Sequence, residues 1–181
     1  MTDTILSTPM IPTWCPGCWN FQILTAVKNV IGEEIKKGKK KDDFAIVAGI
    51  GCHAKIFDYI NLNGINTLHG RVLPTCLGMK VGNPNLNVIG FSGDGDAYAE
   101  GMEHLVHAAR YNSDFKFIVS NNQVFALTIG QSTPTTAPLC ESQLPKRWAS
   151  AETAVRLRSY CRGSRTSITK CDTWLPLQSS N

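Results

Sequence analysis

Residues 91–100 read FSGDGDAYAE, two glycines alternating with two aspartates directly after the apolar run LNVIG. A strand end feeding a helix is where open α/β sheets bind ligands. Glycines let the backbone approach phosphate oxygens, and the following helix N-terminus favours negative charge. A carboxylate inside such a loop opposes a phosphate unless a divalent cation bridges the two. Magnesium takes near-octahedral oxygen ligands and is commonly held by a carboxylate plus substrate phosphates. Asp94 is therefore a candidate ligand, and a second oxygen donor should come from a neighbouring strand end. The segment SNNQV supplies it, placing Asn121 and Asn122 after the apolar run DFKFIV, 25 residues beyond the GDG triplet. The plainer alternative is a capped turn at Asp94 and an Asx turn at Asn121–Asn122. Two such elements, each ending a strand, favour the cation site.

Seven cysteines stand at positions 15, 18, 52, 76, 140, 161 and 171. Their odd number and uneven spacing argue against a disulfide scaffold and for metal or redox chemistry. The WCPGC segment places Cys15 and Cys18 in a C-x₂-C clip, which fits half a zinc site, a dithiol pair or a cluster clip. Cys52, in GIGCHAK, ends another apolar run. Cys76 falls in a helical stretch and reads as a small buried apolar residue. His69 and Arg71, in TLHGR, could meet a cofactor or an anionic substrate, whereas His104 and His107 read as structural.

The elements that must position these residues follow a βα rhythm. Phe21, Leu24, Val27 and Ile31 are spaced for a helix, and DFAIVAGIGC suits a buried parallel strand with its C-terminal turn. A helical stretch at 56–62, a short strand at 65–68 and a helix closed by Gly82 and Pro84 come next. The strand LNVIGFS leads through the GDGD loop into one helix at about 97–111, with Met102, Leu105, Val106 and Ala109 on its inner face. The fold class is therefore α/β, a mostly parallel sheet with helices on both faces.

A chain of 181 residues fits one substantial domain. No window approaches a membrane span, and the first residues lack the pattern of a signal peptide. A cytoplasmic protein is expected, with no membrane partner. The net charge of +4 does not mark a nucleic-acid groove, because residues 1–137 carry 11 basic and 11 acidic groups. The excess lies in residues 138–181, with seven basic and three acidic groups, one glycine and seven serines. There the Lys:Arg ratio switches from 9:2 to 2:5. Two regions are expected: 1–137, a ligand-binding domain bearing the cysteine clip, and 138–181, an aberrant or poorly ordered basic tail. A shifted reading frame would account for that tail and leave the domain incomplete at its C-terminus.

GDG followed by NN resembles the signature of thiamine-diphosphate enzymes. WCPGC, GIGC, TLHGR, GDGDA and NNQVFALTIGQSTPTT, in this order, resemble the β subunit of 2-oxoacid:ferredoxin oxidoreductases over residues 12–137. That resemblance implies a thiamine-diphosphate-binding fold with Asp94, the Asn122 side chain and the Val124 carbonyl on Mg²⁺, and with Gly95 and Asp96 along the diphosphate. It also implies cofactor contacts at Ile50, Gly51, Cys52, His53, Gly78, Ala126 and Leu127. Catalytic roles fall on His69, Arg71 and Lys55, the last facing a substrate carboxylate. Cys15, Cys18 and Cys52 match three ligands of a 4Fe–4S cluster. The family's fourth cysteine lies well downstream, and none of Cys140, Cys161 and Cys171 matches its context. Trp19, Phe125 and Ala126 stand where the family usually has Gly, Tyr and Gly. The implied activity is coenzyme A-dependent oxidative decarboxylation of a 2-oxoacid, with electrons passed to ferredoxin. An α subunit is the implied partner, because the glutamate that activates thiamine normally comes from a separate domain. A cluster-free thiamine-dependent decarboxylase or synthase subunit, and an inactive truncated product, are the alternatives.

Overall fold

A computed structural model describes residues 5–137, 158–162 and 168–172. The chain divides into two compact units, residues 1–136 and 137–181. In the first, helix α1 (Asn20–Lys36) precedes strand β1 (Phe44–Ala48). A 3₁₀ turn, Cys52–Lys55, runs into the short helix α2 (Ile56–Tyr59) and then strand β2 (Asn63–Asn66). Helix α3 (Val72–Gly82) leads to strand β3 (Asn87–Gly93). Helices α4 (Asp94–Tyr98) and α5 (Met102–Arg110) precede strand β4 (Lys116–Ser120). The two-residue strands β5 (Val124–Phe125) and β6 (Gln131–Ser132) pair antiparallel.

Strands β2, β1, β3 and β4 form one sheet in that order, and every pairing is parallel. All five residues of β1 are buried, as expected for a central strand covered on both faces. Its alternation sorts the core. Phe44 and Ile46 pack with Leu24, Val27 and Ile31 of α1 and with Ile56 and Tyr59 of α2. Val47 faces the other side, toward Val72 and Cys76 of α3. The expected α/β architecture is thus present, with helices on both faces.

Three expectations change. Strand β2 lies two residues earlier than its apolar residues suggest, because it is an edge strand whose register follows close backbone approach. A Cβ on Gly64 would come within 2.3 Å of the Ile46 carbonyl oxygen, while Ile65 stays exposed. The helix expected at 97–111 is two helices, since α4 begins at Asp94 itself and breaks at 99–101. The inner face assigned to α5 is also wrong: Met102, Val106 and Ala109 are exposed, and the partly covered residues are His104, Leu105 and Ala108. None of the residues searched forms a helix long and apolar enough to cross a membrane.

In the second unit the described residues are strands β7 (Arg158–Arg162) and β8 (Ile168–Asp172), an antiparallel pair. Cys161 and Cys171 fall on these strands; Cys140 and most of the expected tail lie outside the described residues.

Candidate active site

The sheet register builds the site. Gly93 of β3 pairs with Ser120 of β4, so Asp94 and Asn121 leave the sheet side by side. Asp94 then opens α4 with its carboxylate only 1% exposed. Thr135 ties the two strand ends together: its hydroxyl lies 2.6 Å from Asp94 Oδ2 and 3.0 Å from Asn121 Oδ1. One proton serves both contacts. Beyond β4 the chain makes two successive Asx turns, with the Gln123 amide donating to Asn121 Oδ1 at 3.1 Å and the Val124 amide to Asn122 Oδ1 at 3.3 Å. Gln123 takes φ +61°, the left-handed conformation that closes this corner. The Asx geometry weighed as the plain alternative is therefore present. Asn122 Oδ1 nevertheless keeps a second lone pair for a cation.

These residues border a cleft of about 890 Å³ between the ends of the parallel strands and the N-terminal strap. Its lining includes Cys15, Cys18, Trp19, Ile50, Gly51, Cys52, His53 and Lys55. His69, Asp94, Gly95, Asp96, Asn122, Val124, Ala126 and Leu127 line it as well. Nearly every residue singled out from the sequence is brought together here. Two are not: Gly78 sits exposed on α3 with open space around it, and Arg71 is exposed, its Nη1 donating to the Glu100 carbonyl at 3.4 Å.

Asp96 lines the cleft while its carboxylate has partners of its own. Its carboxylate is 2% exposed and turned into the protein. Oδ2 accepts the Ser92 hydroxyl at 2.5 Å and stands 3.6 Å from His53 Nε2, an ion-pair separation rather than a hydrogen bond. Oδ1 accepts the Gly70 amide at 2.8 Å and lies 3.2 Å from His69 Nδ1. Burial pushes this carboxyl's pKa up, but His53, Ser92 and the Gly70 amide together pull it below its ordinary value. His53 is buried between two glycines, since a Cβ on Gly93 would lie 2.9 Å from its Nδ1 and one on Gly51 3.2 Å. The Phe125 ring covers Gly95, leaving no room for a Cβ there.

The cysteine side is organised by Trp14. Its indole N–H donates to the Cys52 carbonyl at 2.6 Å, and its ring packs edge-on against Phe21 and Tyr59. That bond fastens the strap bearing Cys15 and Cys18 to the loop bearing Cys52. Lys55 Nζ donates to Thr13 Oγ1 at 3.1 Å, closing the same corner. Burial raises the Cys52 thiol pKa and its proximity to Cys18 and Cys15 adds to the rise, while Lys55 lowers it. Among the residues searched, no three His, Cys, Asp or Glu groups gather to hold a single metal ion. A 4Fe–4S cluster asks for a different arrangement, one thiolate on each iron around a cube. Cys15, Cys18 and Cys52 line the cleft with three thiols, one short of the four such a cluster takes. Sequence reasoning missed Trp14, Gly70, Ser92 and Thr135, although Thr135 lies within the TPTT end of a motif already noted.

Residues 49–162 match the family described as thiamine pyrophosphate enzyme, C-terminal TPP binding domain. The chain belongs to that family. More particularly, it is 42% identical over 132 residues to the 2-oxoglutarate synthase subunit KorB of Archaeoglobus fulgidus, covering 72% of this chain and 48% of that one. It is 48% identical over 124 residues to the 2-oxoacid:ferredoxin oxidoreductase subunit beta of Saccharolobus solfataricus, covering 67% and 40%. A solved structure of 2-oxoglutarate:ferredoxin oxidoreductase from Magnetococcus marinus, with 2-oxoglutarate, coenzyme A and succinyl-CoA bound, superposes with a TM-score of 0.70. That chain is 34% identical, over 76% of this chain and 46% of its own. The chain thus spans less than half the length of these relatives.

Proposed function

We propose that this chain is the diphosphate-binding β subunit of a 2-oxoacid:ferredoxin oxidoreductase. The observation that carries the reading is the Gly93–Ser120 pairing, which sets a buried carboxylate beside a pair of asparagines at the mouth of one cleft. Asp94, the Asn122 side chain and the Val124 carbonyl would hold Mg²⁺, with Gly95 close to the diphosphate. The donors suit the ion: a carboxylate and two neutral oxygens leave room for phosphate oxygens and water. Ile50, Gly51, His53, Ala126 and Leu127 would border the rest of the cofactor.

Thiamine diphosphate, when bound, supplies the carbanion chemistry that splits a 2-oxoacid. The chain's own residues bind and orient. Lys55 faces the cleft as a cation for the substrate carboxylate. His69 offers a ring nitrogen to the bound ligand. Cys15, Cys18 and Cys52 would hold three corners of a 4Fe–4S cluster, giving electrons a way out toward ferredoxin. An α subunit would supply the activating glutamate, and coenzyme A would accept the acyl group. Thiols held free in this way suit a reducing cytoplasm.

The test is anaerobic co-production with the α subunit, followed by iron, sulfide and thiamine analysis and a coenzyme A-dependent decarboxylation assay. About four irons per chain, bound thiamine and activity lost on omitting coenzyme A are expected. Thiamine without iron in an assembled complex would contradict the cluster assignment. Neither cofactor, in a folded complex, would contradict the whole reading.

A further inference from the structure

The turn Leu68–Arg71 is held at two points. Asp96 Oδ1 takes both the Gly70 amide, at 2.8 Å, and the neighbouring His69 Nδ1, at 3.2 Å. Gly70 adopts φ +67°, and a Cβ there would collide with the Glu100 carbonyl oxygen at 2.1 Å. The break between α4 and α5 therefore packs against the turn while Asp96 holds it by hydrogen bonds. The other carboxylate oxygen is anchored by Ser92, so Asp96 is not free to rotate away. An ionised carboxylate only accepts, so the nitrogen facing it must carry the proton. His69 is partly exposed and lines the cleft, its remaining ring nitrogen without a hydrogen bond to any described residue.

We propose that Asp96 is a positioning residue, which fixes His69 as its Nδ1–H tautomer and leaves Nε2 as an acceptor for an N–H or O–H group of the bound ligand. The tautomer assigned to a histidine follows from the hydrogen bond its other nitrogen makes. This deepens the proposed function and rests on it only for what meets Nε2; the tautomer itself stands on the hydrogen bonds alone.

The experiment is a long-range ¹H–¹⁵N spectrum of the histidine side chains in the ¹⁵N-labelled full chain, at neutral pH and without cofactor. His69→Gln assigns the His69 signals among those of the four histidines. His69 is expected to be protonated at Nδ1 and unprotonated at Nε2, and a folded Asp96→Asn chain is expected to lose that fixed state. A wild-type His69 protonated at Nε2, alone or together with Nδ1, would overturn the proposal. So would a folded Asp96→Asn chain with an unchanged His69 spectrum. The wild-type spectrum decides even if no Asp96 variant folds, and it is unaffected if the chain proves not to bind thiamine diphosphate.

Discussion

Gly70 and Gly101 meet without room for a side chain between them: a Cβ on Gly101 would stand 2.9 Å from the Gly70 Cα. This contact explains why the helix after GDGD stops and restarts. Gly70→Ala adds both a left-handed strain and a backbone collision, so a loss of about 1–3 kcal/mol is expected. Gly78→Ala is the matched control, because Gly78 lies in α3 with open space around it. There a gain of about 0.4–1 kcal/mol is expected. Urea midpoints measure both, and equal effects of the two substitutions would contradict the packing described.

Trp14→Phe keeps an aromatic ring against Phe21 and Tyr59 but removes the indole donor to the Cys52 carbonyl. A cost of about 1 kcal/mol is expected, the ordinary net value of such a bond. The more telling measurement is alkylation of Cys52, followed by peptide mass spectrometry. Its rate should rise in the variant because the strap no longer covers that loop. An unchanged rate would mean the bond does not hold the two thiol-bearing segments together.

Cys76 offers a pH signature. Burial against Val47, Val72 and Val88 pushes its thiol from 9.0 up to about 12. The folded chain therefore keeps a proton that the unfolded chain releases. The stability this contributes is complete below pH 9 and is lost as pH rises toward 12. Wild type should lose more stability across that window than Cys76→Ala, whose position cannot titrate. Parallel stability curves for the two chains would contradict the burial.

How much of this was legible from sequence depends on what each residue answers to. Strands β1 and β3 declared themselves because central parallel strands are apolar on both faces. GDG and NN were legible because their spacing reflects one βαβ crossover between neighbouring strands. The edge strand β2 was not, since its place is set by Gly64 against the Ile46 backbone rather than by burial of Ile65. The break at 99–101 answers to Gly70, some thirty residues away in sequence, and a helical pattern does not record a partner that distant. The partners of the Asp96 carboxylate were not legible for a similar reason. Its motif suggests phosphate, whereas Ser92, Gly70 and His69 claim its oxygens.

Asp94, the Asn122 side chain and the Val124 carbonyl are proposed to form a magnesium–diphosphate site. Equilibrium binding of thiamine diphosphate to the full chain, with Mg²⁺ and then with EDTA, tests it most directly when run beside Asp94→Asn. Loss of a group that merely supports a metal ligand already costs about 10–100-fold in affinity, and loss of the ligand's charge should cost at least as much. Saturable binding that needs Mg²⁺ and weakens by about tenfold or more in a folded Asp94→Asn chain is the expected result. Binding that survives EDTA and the substitution unchanged, or no binding by a folded wild-type chain, would contradict the account.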